Sequence, residues 1–96
     1  MLSDKSINAV PDPLILGLQL LAHVVADPDL GARFLALSGL DADNLRSRAA
    51  DPGVLAALID FIAANEADLI AAAAALAVSP QAIVAAGNAL GGGGEP

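Results

Sequence analysis

The sequence predicts an all-α protein, a compact orthogonal bundle of five or six short helices. Three observations predict it. Asp12-Pro13, Asp27-Pro28, Asp51-Pro52 and Ser79-Pro80 repeat one device, an acidic or hydroxyl residue followed by proline. The side-chain oxygen takes a free backbone N–H at a helix start, and proline lacks only an N–H that would be unpaired there anyway. Apolar residues between these dipeptides recur at helical spacing. The β-branched residues show no period-two alternation, so strands are not expected.

The first helix is expected over 13–26. Leu14, Ile15, Leu16, Leu18, Leu20, Leu21, Val24 and Val25 cover most of its circumference, and only Gln19 and His23 share a polar strip. A helix apolar nearly all round belongs at the centre of a bundle. The second, over 28–38, offers Leu30, Phe34 and Leu37 and stops at Gly39. The third, over 42–50, is capped by Asp41 and has Leu45 as its first core residue. The fourth, over 52–64, places Leu55, Leu58, Ile59 and Ile62 at i, i+3, i+4 and i+7 with Asp60 outward. The fifth, over 66–77, offers Leu69, Ile70, Ala73 and Leu76. The sixth, over 80–90, offers Ile83, Gly87 and Leu90, and its alanines permit close approach. Helices one and four are expected to form the centre.

One helical domain is expected over 12–90. Residues 1–11 read as a flexible N-terminal tail and 91–96 as a disordered glycine-rich tail, because a glycine run loses too much entropy on ordering. Caps and apolar positions echo at an offset of 38: Asp27 with Asn65, Leu40 with Val78, Asp41 with Ser79, Leu45 with Ile83. The echo reads either as two related three-helix halves or as two runs of similar helical grammar.

Composition excludes several functions. The chain has 96 residues, no cysteine and a formal charge of -7. Zinc fingers, disulfide frames and thiol nucleophiles are therefore excluded. An acidic chain is not organised around phosphate neutralisation. Apolar residues make up 56%, which excludes intrinsic disorder. Beyond alanine there remain 31 larger apolar side chains, more than a bundle of this size is expected to hide. Leu14 to Val25 resembles the apolar part of a signal peptide, but Asp4 and Asp12 face only Lys5 before it. The uncharged stretch from Leu69 is cut by Ser79-Pro80-Gln81, so no membrane span is expected, and the protein reads as cytoplasmic.

The chemistry-bearing residues are few. Ala73 to Ile83 has the small residue, turn, serine cap and apolar anchor of a helix-turn-helix, and Leu35 to Leu45 shows the pattern again with Gly39 at the turn. Nothing after Arg48 is basic, which argues against DNA as the partner. Arg33, Arg46 and Arg48 form a candidate anion contact. Local pairing, Asp29 with Arg33 and Asp43 with Arg46, is the simpler account. His23 and Asp27 are four apart but too few to hold a metal, and Asp27 is wanted as a cap. Ser38, Ser47 and Ser79 have no neighbouring base, and no glycine-rich phosphate loop is present.

The segment from Gly31-Ala32-Arg33-Phe34-Leu35 through Gly39-Leu40-Asp41 to Asp51-Pro52, continuing over Val54-Leu55, Leu58-Ile59-Asp60-Phe61-Ile62 and Asn65-Glu66, resembles a small alphaproteobacterial family of helical proteins, domain of unknown function 3572. The resemblance covers about residues 14–90 and implies a stand-alone cytoplasmic helical protein. It implies no activity, cofactor or catalytic residue. Val54 stands where relatives would carry phenylalanine, which implies lighter packing there.

The expected function is a small non-catalytic protein-interaction module, not an enzyme, and the alternative is an accessory DNA-binding or regulatory protein using the helix-turn-helix-like corners. The expected contact surface is Leu69, Ile70, Ala73 and Leu76, with Ile83 and Val84. The partner would be another protein or a second copy in a homodimer. No cofactor, metal, nucleic acid or membrane is expected.

Overall fold

Six capped helix starts organise the chain, and a computed structural model describes residues 12–91. The tails expected over 1–11 and 92–96 lie outside the described residues. Helix α1 (Pro13–Ala26) opens at Asp12, whose Oδ1 accepts the Leu14 N–H at 2.8 Å. Helix α2 (Pro28–Ser38) opens at Asp27, which accepts from Asp29 N–H at 2.9 Å. Helix α3 (Ala42–Ser47) opens at Asp41, which accepts from Asn44 N–H at 2.7 Å. Helix α4 (Pro52–Ala63) opens at Asp51, which accepts from Gly53 N–H at 2.8 Å. Asn65 caps α5 (Glu66–Leu76) and Ser79 caps α6 (Pro80–Leu90), accepting from Asp68 and Ala82 N–H at 3.1 and 3.0 Å. Each cap satisfies a donor that the first helical turn leaves free.

The third helix is shorter than the expected 42–50. It ends at Ser47, whose hydroxyl donates to the Asn44 carbonyl at 3.2 Å. The chain then turns, and the Asp51 N–H donates to the Arg48 carbonyl at 2.9 Å. That turn delivers Asp51 to its capping position.

The centre holds three helices rather than the expected two. Leu16, Leu20 and Val24 of α1 meet Leu55, Leu58, Ile59 and Ile62 of α4 and Ile83 and Ala86 of α6. A Cβ at Gly87 would lie 2.6 Å from Ile59 Cγ2, and one at Gly17 would lie 3.2 Å from Leu55 Cβ. The missing side chains let α6 and α1 settle onto α4. Leu30 and Phe34 of α2, Leu45 of α3, and Ala72 and Ala73 of α5 complete the core. The Phe34 and Phe61 rings pack at 5.5 Å between centroids, tilted by 55°, the offset arrangement aromatic pairs favour.

Two expected core residues face outward. Leu37 is 71% exposed, because the last turn of α2 points Leu35 to the core and Gly39 then brings Leu40 back beside it. Ile70 is 52% exposed, and Ala72 takes the inward place on α5. Small side chains there let α5 approach its neighbours.

The orthogonal geometry is present in the corners. Helices α1 and α2 meet at 111°, and α5 and α6 at 97°. Among the described residues no single helix is long and apolar enough to cross a membrane. The echo at 38 residues is also present: Asp27 and Asn65 cap α2 and α5, Asp41 and Ser79 cap α3 and α6, and Leu45 and Ile83 are both buried. Gly39 and Ala77, the same distance apart, are both left-handed, with φ of 78° and 58°.

Candidate functional site

Helix α1 carries two apolar stripes. Leu16, Leu20 and Val24 face the core. Leu14, Leu18, Leu21 and Val25 stand at i, i+4, i+7 and i+11 and form a second stripe rather more than a third of a turn away. Leu14, Leu18 and Val25 are exposed, as is their neighbour Ile15. Helices α2, α5 and α6 each expose one large apolar residue, Leu37, Ile70 and Val84. Spare apolar surface is therefore concentrated on α1.

Leu18, Leu21, Ala22 and Val25 make one wall of a groove of about 480 Å³. Leu35 of α2 closes one side. Ala42, Leu45 and Arg46 of α3, with Ala49 beyond it, form the other. The groove exists because α3 is short and buries only Leu45. Arg46 is the one charged residue of the lining, and its guanidinium is bonded to Asp43 at 3.0 Å. Its side chain is 76% exposed, so it marks the rim. The lining carries no hydroxyl, imidazole or carboxylate. Such a groove can remove apolar side chains from water, and offers nothing for proton transfer or nucleophilic attack.

The expected contact surface is not one surface. Ala73 is 3% exposed and Ile83 0%. Both are core residues, a correction that follows from the close packing of α5 and α6. Leu69 and Val84 border a shallow depression with Pro80, Gln81 and Asn88. Leu76 lines a different hollow, and Ile70 borders neither. Sequence reasoning misses the groove beside α1 because it places that helix wholly at the centre. The signal is present: fourteen residues of helix carry two apolar stripes, and of the second only Leu21 is buried, while Leu14, Leu18 and Val25 stay exposed.

The three arginines do not share an anion; each is bonded to its own carboxylate. Arg33 Nε reaches Asp29 at 3.1 Å and Arg46 reaches Asp43, both as the spacing predicts. Arg33 Nη2 also reaches Asp68 on α5 at 3.1 Å, and its guanidinium carbon lies 5.6 Å from the Phe61 ring centroid. The bond to Asp68 raises the Arg33 pKa above its ordinary value. A contact across 35 positions leaves no local trace in the sequence. Arg48 reaches Asp51 at 3.3 Å. The Gly53 N–H, followed by the Arg48 guanidinium, holds the Asp51 carboxyl below its ordinary value.

His23 is half-buried in a hollow with Gln19, Ala22, Ala75 and Leu76, and its Nε2 is buried without a hydrogen-bond partner. Asp27, the other half of the pair considered for a metal, has its Oδ1 engaged in capping α2. Among the described residues no three His, Cys, Asp or Glu stand together. Both helix-turn-helix-like corners form. Helix α3 carries Arg46, and α6 carries no basic residue.

No curated protein and no solved structure matches this chain. A family model does, over residues 11–93, which takes in all six helices and the groove. The chain belongs to the family described as Protein of unknown function (DUF3572).

Proposed function

We propose that the protein is a non-catalytic interaction module that receives a helix of another protein in the groove between α1, α2 and α3. The observation that supports this reading is the second apolar stripe of α1, exposed at Leu14, Leu18 and Val25 and continued by the groove. Fully burying a Leu or Val side chain is worth about 1.5–3 kcal/mol, so covering these half-exposed residues yields about 1 kcal/mol each. The occupant is a helix for a simple reason. An aliphatic wall offers no backbone donors or acceptors, and an extended peptide laid on it would leave its own polar groups unpaired. A helix satisfies those groups internally and presents side chains at i, i+3, i+4 and i+7.

The alternative, an accessory DNA-binding role through the corners, lacks cations. Helix α6 has none, and Arg46 on α3 is already bonded to Asp43. Phosphate contacts supply most non-specific affinity for DNA.

Photo-crosslinking from a reactive residue at position 25 or 18, in the producing cell, tests the reading. A discrete adduct with a second protein is expected, lost when Leu18→Asp is combined with the position-25 probe. Adducts that form from positions 70 and 84 but not from 18 and 25 would overturn it.

A further inference from the structure

We infer that α3 is a movable flap over the groove, which swings onto α1 as α6 lies on α4, and that a helix seated in the groove holds the flap open. This rests on the reading of the groove as a helix site and adds its regulation. The template for the closed form is inside the molecule. Gly17 and Leu55 stand 38 residues apart and face each other, since a Cβ on Gly17 would lie 3.2 Å from Leu55 Cβ. The offset that relates the two halves therefore relates α1 to α4 across their own contact. It carries Leu21, Leu45 and Ala49 of the groove onto Ile59, Ile83 and Gly87. In the second half these positions are packed together. Ile59 and Ile83 are buried, and a Cβ on Gly87 would lie 2.6 Å from Ile59 Cγ2 and 3.2 Å from Ile59 Cβ. In the first half the equivalent positions line a space of about 480 Å³. One arrangement is thus present twice, once closed and once open.

The attachments of α3 suit a flap. Leu45 is its one buried residue. The side-chain bonds of Asp41, Asp43, Arg46, Ser47 and Arg48 all end within residues 41–51, so among the described residues none ties α3 to α1 or α2. Gly39 ends the preceding helix with φ of 78° and open space around it, and the Arg48–Asp51 turn follows α3. An element held by few apolar contacts between two turns opens at low cost. Closure meets only small side chains, Ala42 and Ala49 against Ala22. It also strands no charge, because Arg46 stays at the rim and carries its partner Asp43 on the same helix. Ala49 has a methyl where Gly87 has none, so α3 closes less far than α6. The closed fraction lowers the apparent affinity for the helix in proportion, and a bound helix shifts α3 to the open form.

The test uses the full chain, which has no cysteine. In the closed form Leu21→Cys/Ala49→Cys would stand near the spacing of Ile59 and Gly87, close to the Cβ separation of about 3.5–4.5 Å that a disulfide needs. Mild oxidation should join the two thiols. The neutral apolar dye Nile red should bind the reduced protein and lose it in Leu18→Asp. The oxidised protein should hold the dye about tenfold more weakly than the reduced one. Ala22→Cys/Ala49→Cys repeats the trap from positions outside the core, in case the first pair does not fold.

Thiols that stay free in the folded protein would show that α3 does not reach α1, and would overturn the flap while leaving the helix site standing. A disulfide that leaves dye binding unchanged, with the dye still lost in Leu18→Asp, would show that closure does not cover the groove and overturn it as well. Dye binding indifferent to both Leu18→Asp and the disulfide would overturn the groove reading together with the flap.

Discussion

Gly39 and Ala77 stand at equivalent places in the two halves of the molecule, both left-handed and both ending an eleven-residue helix. The helices that come after them differ. Beyond Gly39, α3 runs six residues and buries Leu45. Beyond Ala77, α6 runs eleven, buries Ile83 and Ala86, and lets Ile59 approach through Gly87. The first half leaves one stripe of α1 open beside a short helix. The second half packs its long helix against α1 and α4. The same caps and turns thus yield a groove in one half and core in the other, and helix length decides which. This is a general lesson about small bundles. Local grammar sets where helices start and stop, and the surface left over is set by which helix is long enough to cover its neighbour.

Truncation at the two equivalent anchors should expose that difference most strongly. Ile83→Ala empties a fully enclosed site between α6, α4 and α1. It should destabilise the fold by about 4 kcal/mol, near the upper range for such changes. Leu45→Ala removes a side chain that already borders the groove, where neighbours can relax and water can enter. Its expected effect is about 2 kcal/mol. Urea denaturation of the two variants measures both. Equal losses would mean that α3 is as firmly packed as α6.

The turns give the next effect, with opposite signs. Alanine resists left-handed backbone by about 1–2 kcal/mol. Nothing lies within 4 Å of a Cβ placed on Gly39, so Gly39→Ala should lose about 1 kcal/mol through backbone conformation alone. Ala77→Gly relieves the same strain in the other half and should gain up to about 1 kcal/mol, less the entropy glycine adds to the unfolded chain. The double variant should return close to the parent stability. A double variant well below the parent would show that the Ala77 methyl makes contacts that outweigh its strain.

The helix starts were legible because each uses a side chain and a proline adjacent in sequence. Asp27-Pro28 and Ser79-Pro80 announce their helices without help from the rest of the chain. The anchors Leu55, Leu58, Ile59 and Ile62 were legible because their spacing places them on one face, and that face is buried. The role of α6 was not, since its contribution rests on the absence of side chains, and Gly87 matters only because Ile59 stands opposite. The groove was not legible as a site for a related reason. Leu16 and Leu18 are the same residue type two positions apart, and only the placement of α2, α4 and α6 decides which is covered. The Arg33–Asp68 bond joins helices whose docking no local pattern specifies.

Where α4 meets the first half, Val54 offers a smaller effect. It is buried, and it borders a hollow of about 250 Å³ with Phe34, Leu40 and Ala57. Val54→Phe should extend a ring into the hollow and raise stability by about 0.5–1 kcal/mol, seen as a higher denaturant midpoint with an unchanged slope. A lower midpoint would mean that the hollow is too shallow and the ring overpacks the Phe34 side.

The smallest effect separates two kinds of helix cap by pH. Asp51 opens α4 with one carboxylate oxygen on Gly53 N–H, and the other accepts from Arg48. These bonds, that to Gly53 foremost, hold its pKa below the ordinary carboxylate value. A group whose folded pKa is depressed stabilises the fold above its unfolded pKa, about 3.9 for aspartate, and loses that contribution as pH falls through the lower folded value. Asp51→Ala should therefore melt below the parent protein at pH 7 by an amount that holds down to about pH 5 and shrinks below about pH 4. Ser79 caps α6 with a hydroxyl, which does not titrate in this range. The deficit of Ser79→Ala should thus be the same at pH 7 and pH 3. Thermal melts of both variants against the parent across that range make the comparison. A deficit for Asp51→Ala that persisted unchanged at pH 3 would mean that the carboxylate charge adds nothing to the cap, and that Arg48 is a solvated neighbour rather than a partner.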